Sequence, residues 1–138
     1  MWTYQSYLDI VKEGMEADTI FFLRHDVDIS IKKAVEMAEV EAEKSLHSTY
    51  YILLTSPFYN AFSIDNIQRI KTIRELGMGI GLHYDPSVHD LSNDRMVSDI
   101  VQQTRLLETY IGELEGVSVT FHRPVMGKDI DNDLIAQL

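Results

Sequence analysis

The chain has 138 residues, 45% of them hydrophobic and 25% charged, a balance that suits one globular domain and excludes a disordered or fibrous chain. A formal net charge of -10 repels phosphate backbones and argues against nucleic acid as a partner. There is no cysteine, which excludes disulfides, thiolate nucleophiles and Cys-type zinc sites, so any metal must be held by His, Asp or Glu.

The start, Met1-Trp2-Thr3-Tyr4-Gln5-Ser6-Tyr7, carries no basic-then-apolar leader pattern, and no apolar run reaches membrane-spanning length. A cytoplasmic chain with no membrane span is expected. Tyr4, Tyr7, Leu8 and Val11 recur at helical spacing before Gly14, which predicts a short amphipathic helix with a glycine stop. Thr19-Ile20-Phe21-Phe22-Leu23 then reads as a buried strand ending in the charged run Arg24-His25-Asp26-Val27-Asp28.

Ser30 is placed to cap a helix whose apolar stripe is Ile31, Ala34, Val35, Ala38 and Ala42, with Glu36, Glu39, Glu41 and Glu43 forming a solvated face. Ser48 to Leu54 is rich in β-branched and aromatic residues and predicts a second strand. After a loop through Pro57 and Asn60, Ser63 caps a helix with Ile67, Ile70 and Ile73 inward and Gly77 at its end. Gly79-Ile80-Gly81-Leu82-His83 predicts a third strand, in which glycine permits close backbone approach.

From Ser92, the positions Val97, Ile100, Thr104, Leu107 and Ile111 keep a 3-4-3-4 spacing that predicts a long helix. Gly116 turns the chain into Val117 to His122, a fourth strand, and Asp131 to Leu138 begins another helix. Strands alternating with helices predict βαβ units, hence an α/β fold with about four parallel strands in one domain over 1–138.

Functional groups in parallel α/β architectures gather at the C-terminal ends of strands. Three of the expected strands end in metal-capable residues: Asp26 and Asp28, then His83 and Asp85, then His122. One Asp and two His meet the needs of a mononuclear catalytic site with an open position for water. A second carboxylate outside the ligand set can accept the water proton, and two aspartates two residues apart can divide these roles. His25 alternates away from Asp26 and is expected to be structural. His47 near a helix end, and Tyr50, Tyr51 and Phe58, are expected to pack rather than react, while Asp85 suits either a metal or a turn before Pro86.

Arg24-His25-Asp26-Val27-Asp28, Phe58-Tyr59-Asn60, Gly81-Leu82-His83-Tyr84-Asp85 and Phe121-His122-Arg123-Pro124 resemble, in order, successive motifs of the NodB-like polysaccharide deacetylases, a class of carbohydrate esterases, in the branch whose first motif reads RHDVD. The resemblance implies a distorted (β/α) barrel, one divalent ion, most often zinc, and hydrolysis of an N-acetyl or O-acetyl group on a sugar. It also implies that Asp26 is the base, Asp28 and His83 are metal ligands, and Arg123 orients the base. Tyr84 and Pro124 are implied to bind substrate. The family's usual second histidine falls at Ser87, so His122 is favoured as the third ligand over His89.

The family's later motifs, including a histidine that serves as general acid, have no counterpart before Leu138, so the chain is expected to carry only the first part of the barrel. Such an open sheet edge suits pairing with a second copy in a homodimer. Two rival readings stand beside the deacetylase: a catalytically silent metal- or carbohydrate-binding domain, and a hydrolase of a non-sugar amide.

Overall fold

Helices and strands alternate along the chain in the computed structural model, which describes residues 4–15, 22–88, 93–116 and 118–123. The elements are α1 (Tyr4–Met15), β1 (Leu23–Val27), α2 (Ile31–Glu43), β2 (Ser48–Leu53), α3 (Ile64–Glu75), β3 (Gly79–Tyr84), α4 (Asn93–Ile111) and β4 (Val119–Phe121). All four strands are parallel, in the order β1-β2-β3-β4. The result is a mixed α/β fold in which the sheet curls into a half-barrel. Among the described residues, no helix is long and apolar enough to cross a membrane.

The strand expected at 19–23 lies further along. Phe22 is 93% exposed and outside any strand, while β1 itself runs through Arg24-His25-Asp26. Pairing is the reason: the neighbouring strand begins at Ser48, which faces Leu23, so the ladder continues to Val27 opposite Ile52. Residues 19–21 fall outside the described residues, as does the helix expected from Asp131. The first helix also runs past Gly14 to Met15 rather than stopping there.

Alternation along the strands separates two faces. Val27, Tyr50, Ile52 and Ile80 turn outward onto α2 and α3, with Ile31, Ala34, Ala38, Ile70 and Ile73, in the main core. Leu82 and Tyr84 turn the same way onto Met96 and Ile100 of α4. The helices start where their sequences direct. Ser30 and Ser63 accept hydrogen bonds from the backbone N–H groups of Lys33 and Asn66, as N-caps do. Arg74 of α3 donates to the carbonyls of Ile111 and Glu113, satisfying acceptors that the end of α4 leaves without helical partners.

Besides the buried Leu53, the inner face carries mainly small and polar groups. Tyr51 crosses the sheet to hydrogen-bond Ser118 at 2.7 Å, and its ring lies over Gly81. A Cβ on Gly81 would sit 2.6 Å from that ring and 2.8 Å from the Ser118 carbonyl, so the close approach requires glycine.

One residue of the expected solvated helix face is placed otherwise. Glu41 is 0% exposed, because it follows Ala34 and Ala38 at 4-3 spacing on the packed side of α2. Its carboxylate accepts hydrogen bonds from Ser48 at 2.6 Å and Tyr50 at 2.7 Å, lies 2.7 Å from His25 Nε2, and accepts from the Tyr7 hydroxyl, which ties α1 to the sheet. Burial pushes this carboxyl up, but the hydrogen bonds with His25, Ser48, Tyr7 and Tyr50 outweigh it and hold the pKa at about 2 against an ordinary 4.5.

A depressed pKa stabilises the folded chain above the unfolded value, and that stability disappears as pH falls through the folded one. The network's contribution is therefore expected to be whole above pH about 4.5 and lost toward about 2, amounting to roughly 3 kcal/mol. Glu41→Ala, which leaves buried hydroxyls without an acceptor, should cost roughly 3–5 kcal/mol in urea unfolding. An acid-unfolding profile identical in wild type and Glu41→Ala would contradict this account.

Candidate metal centre

Three strand ends converge at one point of the curled sheet. Asp28 follows β1, His83 lies near the end of β3, and His122 follows β4. The His122 backbone N–H donates to the Tyr84 carbonyl at 2.7 Å, which extends the β3–β4 ladder past its last paired residues and sets the second imidazole beside the first. Asp28 is fixed from the loop after β2. Ser56 donates to the Asp28 carbonyl at 2.7 Å, and the Tyr59 hydroxyl donates to the Val27 carbonyl while accepting from the Leu53 N–H. Tyr59, the middle residue of Phe58-Tyr59-Asn60, thus ties the ends of β1 and β2 together, whereas Phe58 is exposed.

The ligand-capable atoms form a nearly equilateral triangle. His83 Nε2 is 3.2 Å from Asp28 Oδ1, His122 Nδ1 is 3.3 Å from the same oxygen, and the two nitrogens are 3.1 Å apart. Asp28 Oδ1 is buried with no hydrogen-bond partner although both nitrogens are near it. Among the described residues, this trio is the group able to hold a metal ion. Burial pushes the His83 imidazole below its ordinary pKa, more than the nearby Asp26 and Asp28 charges raise it, which favours the neutral ring that metal binding requires.

Asp26 stands next to the triangle without belonging to it. Its Oδ1 accepts from the Thr120 hydroxyl at 3.1 Å and its Oδ2 accepts from Arg24 at 3.0 Å. Arg123 is the arginine expected to orient Asp26; among the described residues, Arg24 makes the ion pair with it. Arg123 sits on the exposed turn after β4 with φ 47°, where its charge acts on Asp85. Asp85 takes the turn role. Burial raises its pKa, but hydrogen bonds from the Ser87 N–H and hydroxyl, with the charges of His122 and Arg123, hold it below the usual carboxylate value.

Tyr84 differs most from its expected substrate-binding role. It is 1% exposed, packs in the outer core, and donates to Asp99 at 2.9 Å. Alternation is the reason: His83 faces inward, so its neighbour must face the helices. His25 also points outward, as alternation predicts, and meets Glu41. His89 and Pro124 lie outside the described residues. Thr120 and Arg24 are not expected from the sequence as site residues, although Thr120 lies two residues before His122 and so shares its face of the sheet.

Comparison with protein-family models, with curated proteins and with solved structures finds no match to this chain.

Removing the Tyr84 hydroxyl, and with it the hydrogen bond to Asp99, should act on stability alone. Tyr84→Phe is expected to cost about 1 kcal/mol of stability and to leave the affinity for a divalent ion unchanged in a calorimetric titration. A tenfold loss of affinity would place Tyr84 in the site after all.

Proposed function

We propose that this chain carries the metal centre of a NodB-like carbohydrate deacetylase, with Asp28, His83 and His122 holding one divalent ion, zinc by preference, and Asp26 serving as base. The observation that carries the reading is the triangle of Asp28 Oδ1, His83 Nε2 and His122 Nδ1, with edges of 3.1 to 3.3 Å. A tetrahedral zinc ion with bonds near 2.0–2.1 Å separates its ligand atoms by about 3.3–3.4 Å. The triangle agrees within a few tenths of an ångström, and its one oxygen is the buried acceptor without a hydrogen bond. Two imidazoles and one carboxylate are also a donor set that leaves a fourth position for water.

Such an ion, when bound, supplies a Lewis acid for the acyl oxygen and lowers the pKa of a bound water to about 7. Asp26, adjacent to the ligands but outside them, is placed to take the proton from the attacking water. Arg24 and Thr120 each hold one of its oxygens, which restricts how the carboxylate can turn. The water oxygen bonds to the acetyl carbon, the bond from that carbon to the sugar nitrogen or oxygen breaks, that nitrogen or oxygen takes up the proton that Asp26 accepted, and acetate is released. The choice of an acetylated sugar as substrate rests on the ordered resemblance of Arg24-His25-Asp26-Val27-Asp28, Gly81-Leu82-His83-Tyr84-Asp85 and Phe121-His122-Arg123-Pro124 to the deacetylase motifs.

The protein should bind one zinc ion per chain. Asp28→Ala, His83→Ala and His122→Ala should each weaken binding by more than about 100-fold, beyond what changes outside the ligand set typically produce. Asp26→Asn should keep the metal and lose about 10²–10⁴-fold of any acetate release from N- or O-acetylated oligosaccharides. A protein that takes up no zinc would end the metal reading. Zinc bound with hydrolysis of non-sugar amides alone would end the carbohydrate reading.

A further inference from the structure

Thr120 links the two functional halves of the centre, and its hydroxyl can give only one proton. It is 6% exposed, with Oγ1 2.7 Å from His83 Nδ1 and 3.1 Å from Asp26 Oδ1. A carboxylate only accepts hydrogen bonds, whereas each nitrogen of a neutral imidazole either donates or accepts according to the tautomer. If Thr120 donates to Asp26, its oxygen must accept from His83, and Nδ1 carries the ring proton. His83 Nε2 then presents a lone pair to the triangle, and His122 Nδ1–H can donate to it across their 3.1 Å separation.

The opposite tautomer serves the cluster less well. With the proton on Nε2, Thr120 would have to donate to His83 Nδ1, and Asp26 Oδ1 would face a hydroxyl oxygen with no proton to offer at 3.1 Å. The Nε2 proton would make no hydrogen bond to Asp28 Oδ1, which has no such partner despite lying 3.2 Å away. The first arrangement makes three hydrogen bonds, one to a carboxylate, and the second makes two. Hydrogen bonds to charged groups are the stronger kind.

We infer that Thr120 is a positioning residue: by donating to Asp26 and accepting from His83 Nδ1–H, it fixes the His83 tautomer that leaves Nε2 free to bind a metal. It thereby couples the orientation of the proposed base to that of a proposed ligand. This inference rests on the metal reading for its purpose, while its tautomer assignment does not need the ion. The partner of a ligating histidine's second nitrogen sets the tautomer and ring orientation, and its loss typically weakens metal affinity about 10–100-fold.

The test pairs nitrogen-15 NMR of the histidine side chains in the metal-free protein with zinc titration at one pH. His83 is assigned from the His83→Gln spectrum. Wild type should show the His83 proton on Nδ1. Thr120→Val should shift the ring toward a mixture of tautomers and weaken zinc binding about 10–100-fold, whereas Thr120→Ser, which restores the hydroxyl, should return both readouts to wild type. Chemical shifts of the α3 and β2 amides report whether Thr120→Val remains folded, and if it does not, the wild-type spectrum and Thr120→Ser still decide. A wild-type His83 protonated at Nε2 would overturn the inference. So would a folded Thr120→Val with unchanged tautomer, or with wild-type affinity. Wild type with the Nδ1 proton in place but no zinc uptake would remove the metal reading and leave the Thr120 assignment standing.

Discussion

The hydrogen bond between Thr120 and Asp26 spans 94 residues of sequence and the full width of a four-stranded sheet. Adjacent strands lie about 4.8 Å apart, so in a flat sheet the two outer strands would be separated by about 14 Å. Contact at 3.1 Å is possible only because the sheet curls, as closing barrels do. The distances that join the first strand to the third and fourth depend on that curl. It places Asp28 against His122, and it brings a carboxylate from the first strand to a histidine of the third.

The curl in turn depends on what fills each face. Outside, Val27, Tyr50, Ile52 and Ile80 bury apolar surface against α2 and α3, the main favourable contribution to folding. Inside, a bulky residue at every inward position would hold the strands apart. Gly81 has no side chain, so Tyr51 can lie flat across it and reach Ser118. That layer forms a floor beneath the polar groups, with His83 in the next inward position along β3.

Two acidic systems occupy opposite faces, and they are balanced differently. Glu41 is surrounded by groups that hydrogen-bond it, and His25, Ser48, Tyr50 and Tyr7 hold its charge inside the core. Asp28 Oδ1 is buried without such partners. A buried acceptor without a donor is costly, and its neighbours are two nitrogens suited to ligation. The first arrangement is a structural anchor for α1 and α2. The second sets an open acceptor beside two imidazoles, a group that could hold a metal ion.

Alternating strands and helices, the serine caps at Ser30 and Ser63, and the buried stripe through Ile100, Thr104, Leu107 and Ile111 could all be read from residue order, because each depends on a local period or a local hydrogen bond. So could the gathering of Asp26, Asp28, His83 and His122 at strand ends, since parallel strands share one direction. The start of β1 could not, because pairing with Ser48 fixes it rather than the apolar run before it. Nor could the burial of Glu41, the outward turn of Tyr84, the choice of Arg24 rather than Arg123 at Asp26, or the place of Thr120. Those depend on which face a side chain takes and on which distant strand the curl brings opposite it, and residue order states neither.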